Sequence, residues 1–158
     1  MTSAGRGPGV RFPPPLLFVA GFAVAWYLDT RLEFVIDGTG PGPVQTAIGL
    51  VMLAGGLLMM AWGMKTFVYH RTPIVPISRA RALVRSGPYR FSRNPMYVGL
   101  TSAYLGGALV TNMAWPLVLL PFVLVALVSF VIRKEEAYLQ SEFGADYDLY
   151  CRQVRRWL

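Results

Sequence analysis

Two short segments of this chain carry side chains whose types and spacing suit ligand binding. The first runs Ser86-Gly87-Pro88-Tyr89-Arg90-Phe91-Ser92-Arg93-Asn94-Pro95-Met96-Tyr97-Val98-Gly99. Asn94-Pro95 reads as a helix start: Asn can accept a backbone N–H at the cap, and Pro suits the first helical position. A helix beginning at Pro95 attracts anions at its N-terminus. Arg90 and Arg93 stand just before it, so a carboxylate or phosphate would be held there. Gly87 and Gly99 permit close backbone approach, and Tyr89 and Tyr97 offer flat faces and hydroxyls. The same residues also read as ordinary anchors at a membrane surface, or as a polybasic site for anionic headgroups.

The second segment is Arg133-Lys134-Glu135-Glu136, followed by Leu139, Phe143, Tyr147, Tyr150 and Val154. These apolar positions recur at helical spacing, so an amphipathic helix is predicted along the membrane surface, with Gly144 breaking it in two. Adjacent carboxylates can hold a cationic group, or can pair with the arginines of the first segment. A ligand carrying a carboxylate, an ammonium and a sulfonium suits both segments together, and S-adenosylmethionine is such a ligand. Methyl transfer from it asks the protein to position a nucleophile and, for some acceptors, to remove a proton.

The elements that would position these segments are membrane helices. Hydrophobic residues make up 54% of the 158 and charged residues 15%, against about a quarter charged in soluble domains. Leu16–Leu28, reaching toward Ile36, is the first candidate span, read as a retained helix and not a cleaved leader. Gly38–Pro43 is a turn by composition. Val44–Met64 has no charge and carries Gly55, Gly56 and Gly63, small residues that let membrane helices pack closely. Asn94–Ile132 is uncharged and long enough for two helices, with a hairpin turn at Thr111-Asn112, Trp115 at the interface, Pro116 in the first turn of the last span and Pro121 as a kink.

Seven basic residues and no acid lie between Lys65 and Arg93, whereas Asp29–Pro43 holds three acids and one Arg. The positive-inside rule then places the basic loop, the C-terminal segment and both termini in the cytoplasm. The expected architecture is all-α: an integral membrane bundle of four transmembrane helices with a C-terminal amphipathic helical segment. It forms one domain over 1–158, with a flexible N-terminus over 1–15 and a cofactor-binding core over 72–154.

The formal charge of +7 does not point to nucleic acid, because the basic residues cluster between apolar runs. One cysteine, Cys151, rules out an internal disulfide. One histidine, His70, gives no metal cluster. Neither a nucleic-acid partner nor a metal is expected.

The first segment, with its lead-in Thr72-Pro73-Ile74-Val75-Pro76 and Leu83-Val84, resembles the signature of the isoprenylcysteine carboxyl methyltransferase and phospholipid methyltransferase superfamily. Glu135-Glu136, Leu139, Phe143-Gly144, Tyr147 and Tyr150 resemble its C-terminal pattern. The resemblance covers Thr72–Val154. It implies an S-adenosylmethionine-dependent methyltransferase of the bacterial inner (plasma) membrane, with a lipid or small hydrophobic acceptor. It also implies that Tyr89, Arg93, Asn94, Pro95, Tyr97, Gly99, Glu135 and Glu136 bind the cofactor, and that Glu136 and Arg133 orient the reacting groups. The eukaryotic carboxyl methyltransferases have His where Asn94 stands, which argues against a prenylcysteine acceptor here. Membrane sterol reductases share a similar ending around Tyr150-Cys151, so an NADPH-dependent enzyme is an alternative. A non-catalytic protein that binds anionic lipid is another.

Overall fold

The computed structural model describes residues 9–10, 12–71 and 82–158. The Thr72–Pro76 lead-in, Arg79 and Arg81 lie outside them. Regular structure in the described residues is helical, apart from one isolated antiparallel bridge between Val35 and Met113. The order is α1 Pro15–Arg31, α2 Pro43–Tyr69, a 3-10 turn Gly87–Arg90, α3 Pro95–Thr111 and α4 Trp115–Leu127. A π-helical turn, Val128–Ile132, leads into α5 Arg133–Phe143, and α6 is Ala145–Gln153. Each of α1 to α4 has a proline in its first two positions, where the missing N–H costs no intrahelical bond. Gly144, with φ +50°, separates α5 from α6, the break its sequence position suggests.

Among the described residues two helices are long and apolar enough to cross a membrane: α2, with 27 residues, and the continuous run Trp115–Phe143, with 29. The apolar part of that run ends at Ile132, and α5 continues beyond it as a charged helix. Two of the four expected spans meet this criterion of length and composition. At 17 residues each, α1 and α3 are about 25 Å long, short of a ~30 Å hydrocarbon core. The outward faces of the bundle are nonetheless apolar: Val51, Leu58, Phe122 and Val125 are each at least 66% exposed. Surfaces of that kind belong in lipid.

Glycines set the α2–α3 contact. Gly49, Gly56 and Gly63 are buried along one face of α2, and a Cβ on Gly99 would lie 2.6 Å from the Gly56 carbonyl oxygen and 3.2 Å from the Met60 nitrogen. Gly106 meets Gly49 and Leu53 in the same way. Gly55 faces open space. On the other side of α3, Tyr104 stacks edge-on against Phe18 and Phe22 of α1, within a core that includes Val123, Leu127, Val131 and Ile132. Val10 is buried there and Phe12 packs against it, so the chain joins the core before α1, where composition suggested a flexible lead.

At the end of the bundle remote from the basic loop, Asn112 adopts φ +59°. Its side-chain oxygen accepts from Asp37 N and Gln45 Nε2 at 3.0 and 2.9 Å, and its amide donates to Asp37 O at 2.8 Å. These bonds tie the α1–α2 connection to the α3–α4 hairpin turn.

Candidate functional site

At the opposite end, the start of α3, the start of α5 and the C-terminal residues meet. Pro95 opens α3 as the sequence predicts, but Asn94 does not cap it with its side chain. The Asn94 amide instead donates to Arg156 O at 3.0 Å. That bond holds the side chain by its donor group, and the side-chain oxygen makes no cap bond.

Arg93 is mostly buried, and its Nη1 donates to Glu136 Oε1 at 3.2 Å and to Cys151 Sγ at 2.9 Å. Arg156 grips the same carboxylate with two bonds, Nε to Oε1 at 2.9 Å and Nη2 to Oε2 at 2.7 Å. Bidentate guanidinium–carboxylate pairs are strong and geometrically specific. Of the two uses the sequence allows for Glu136, the structure shows the ion pair. The Arg93 Nε–H is buried and has no acceptor among the described residues.

Glu135 faces the other way round the helix, and its Oε1 accepts from the Tyr97 hydroxyl at 2.8 Å. Burial raises the Glu135 carboxyl to about 7; the Tyr97 hydrogen bond opposes the rise and the neighbouring Glu136 charge adds to it. The π-helical turn explains why Glu135 points at Tyr97. In a straight helix the residue seven beyond buried Leu127 shares its face, and that residue is Lys134. The wide turn absorbs one extra residue, leaving Val131 and Ile132 both fully buried in succession. Position eight, Glu135, then takes the inward place. No pattern of residue types signalled that turn.

The remaining predicted residues are placed differently. Tyr89 is buried, its ring 5.2 Å from that of Phe67, and its carbonyl accepts from the Tyr150 hydroxyl at 2.7 Å. Burial pushes the Tyr89 and Tyr150 phenols well above their ordinary range, so both stay neutral. Gly99 lies in the α2–α3 contact, so the close approach predicted for it is to a helix. Arg90 is exposed and does not join Arg93, and Arg133 is exposed at the head of α5. The apolar positions of α5 and α6 bury against one another and against Leu83: Tyr147, Tyr150 and Val154, flanked by Leu139 and Phe143, form one cluster. Sequence reasoning missed Ser92, Cys151 and Arg156, whose roles rest on contacts across more than fifty residues. Among the described residues no three His, Cys, Asp or Glu side chains gather as a metal set.

The site therefore holds a buried arginine N–H without an acceptor among the described residues, and a carboxyl that burial raises toward neutrality. A model of the phospholipid methyltransferase family matches residues 44–146, which include α2, the basic loop, α3, α4 and α5. An uncharacterized protein of Haemophilus influenzae is 42% identical over 65 residues, 40% of this chain and 100% of that protein. No solved structure matches the chain.

Proposed function

This chain belongs to the phospholipid methyltransferase family, and from that membership we propose that it transfers a methyl group from S-adenosylmethionine to a lipid or small hydrophobic acceptor at the cytoplasmic face of the membrane. The observation that supports the reading is the Arg93 Nε–H, buried and without an acceptor among the described residues at the start of α3; the Glu135 carboxyl, engaged on one oxygen by Tyr97 of that helix, is the second group. These groups fit an amino-acid-like ligand, a carboxylate on the first and a cation on the second.

In this reading Arg93 and the start of α3, with Asn94 and Pro95, hold the ligand's carboxylate end. Glu135, oriented by the Tyr97 hydroxyl, faces its cationic end. Glu136 is held by Arg93 and Arg156 and fixes Arg93 in turn. Tyr89 and Gly99 support the wall from behind, against α2. Arg133, exposed at the head of α5, faces the acceptor side and orients an acceptor with a negative or polar headgroup. When bound, S-adenosylmethionine supplies a methyl group already activated by its sulfonium. The chain's work is to position that group, to exclude water and, for an acceptor that must lose a proton, to take it at the ionised Glu135 carboxyl.

All four helices α1 to α4 cross the membrane in this proposal. α2 and the continuous run Trp115–Phe143 have the length to cross, α1 packs along α4 and α3 along α2, and the connections at the remote end are tied together at Asn112. Lys65–Arg93 then lies in the cytoplasm with both termini, and the relative from Haemophilus influenzae accords with a bacterial inner membrane.

The test is calorimetric binding to the detergent-purified protein, with S-adenosylmethionine and NADPH compared and Glu135→Gln as the variant. Saturable binding of the first ligand alone, weakened by the substitution, is the expected result. Failure of the folded wild-type protein to bind it refutes the reading, and NADPH binding would replace it with the reductase alternative.

A further inference from the structure

We propose that Arg156 is a positioning residue of this site and that the C-terminal segment Val154–Trp157 is one of the site's walls. This deepens the methyltransferase reading and rests on it. The family match ends at residue 146, so nothing in the comparison assigns these residues a role.

This segment is stitched to the start of α3 along its backbone. Arg93 N donates to Arg155 O at 2.9 Å, Asn94 Nδ2 to Arg156 O at 3.0 Å and Ser92 Oγ to Arg156 O at 3.3 Å. Ser92 is 2% exposed and also accepts from Asn94 N at 3.0 Å, so the segment's hold on Ser92 extends into the turn that opens α3. Val154 is buried with Tyr147 and Tyr150, and Trp157 packs on the α1/α3/α4 core. The segment is thereby pinned on both sides of Arg156.

From that fixed backbone the Arg156 guanidinium grips both oxygens of Glu136. The consequence falls on Arg93. Glu136 Oε1 is shared between Arg93 Nη1 and Arg156 Nε, so the orientation of the Arg93 guanidinium, and with it the direction of its buried Nε–H, depends on where Arg156 holds the carboxylate. Glu136, with two cations on it, has little charge left for a ligand, which leaves Glu135 as the carboxyl facing one. Arg156 acts on the ligand through Glu136 and Arg93, without touching it. Lysine cannot replace it, because an ammonium is a point donor without the planar fork.

The experiment is a double-mutant cycle on the full chain in detergent. S-adenosylmethionine Kd is measured by calorimetry for wild type, Arg156→Ala, Arg156→Lys, Glu136→Gln and the Arg156→Ala/Glu136→Gln pair, with helicity and thermal melting as fold controls. Arg156→Ala should raise Kd about tenfold, within the range for members of one ion-pair network. Arg156→Lys should rescue the melting temperature more than the Kd. In the Glu136→Gln background the Arg156→Ala change should have no further effect on Kd. Absence of binding by folded wild-type protein overturns the methyltransferase reading and this inference with it. Wild-type binding with an unchanged Kd for folded Arg156→Ala overturns the inference alone. Additive effects in the cycle overturn the indirect route and make Arg156 a direct ligand contact. Should Arg156→Ala not fold, Arg156→Lys carries the test, and a wild-type Kd in that folded variant overturns the inference.

Discussion

Binding of a cationic ligand should tighten steeply as pH rises toward neutrality, and Glu135 should be the cause. Its carboxyl is raised to about 7, chiefly by burial, so in the free protein below that pH it is mostly protonated. A cation prefers the carboxylate, so the ligand selects the ionised form and releases a proton on binding. The ionised fraction rises from about 3% at pH 5.5 to about one half at pH 7, and the apparent Kd scales inversely with it, a tightening of about fifteenfold. An α-amino group, which titrates at roughly 7.7–8.0, stays cationic across most of that window. The assay is calorimetry with S-adenosylmethionine at about pH 5.5, 6, 6.5 and 7 in buffers of differing ionisation enthalpy, which counts the released proton. Glu135→Gln should flatten the profile. Tyr97→Phe removes the hydrogen bond that holds the carboxyl down, so its midpoint should move to higher pH. A flat wild-type profile, or a slope that survives in folded Glu135→Gln, refutes the assignment of Glu135 to the cation.

Gly99→Ala should destabilise the bundle by about 1–3 kcal/mol, because the new methyl meets backbone on α2 and cannot be accommodated by a rotamer change; a lowered melting temperature in detergent checks it. Deleting Ser129 from the wide turn should be tolerated, against the usual expectation for a deletion in a helix: it makes the run a regular α-helix and places Glu135 seven residues beyond Leu127, still on the inward face. The measure is retained S-adenosylmethionine binding, and its loss in a folded deletion variant would show that the turn does more than set register.

Helix starts and stops were legible because their causes are local. Pro43 and Pro95 open helices and Gly144 ends one for reasons contained in a few neighbouring residues. The pairing of the basic loop with Glu135-Glu136 was legible in outline, since charges left between apolar runs must share a membrane face. The partners within that pairing were not. Asn94 looks like a cap by type, yet its amide serves Arg156 O. Arg90 and Arg93 look equivalent, yet only Arg93 turns inward. Arg156 reads as one of several terminal basic residues until the fold brings Glu136 within 2.7 Å. Helix length was less legible than helix position: composition marks where charge is absent, whereas α1 and α3 each run for 17 residues.

The signs of the charges that remain for a ligand favour one chemistry over its rivals. Arg93, Arg156, Glu135 and Glu136 sum to zero when all are ionised, but they are not equally engaged. Glu136 takes bonds from both arginines, which leaves one buried N–H of Arg93 and the carboxyl of Glu135 as the less engaged groups. A site with one donor of positive charge and one acceptor of negative charge complements a zwitterion bearing a further cation. It suits a polyanion poorly: the phosphates of NADPH or of a lipid headgroup would bring like charge against Glu135, half-buried where screening is weak. A site built for lipid phosphate needs the arginines and has no use for the carboxylates. Here the Glu136 carboxylate holds both arginines in place, and the Tyr97 hydroxyl holds the remaining carboxyl, which the methyltransferase proposal assigns to the cation.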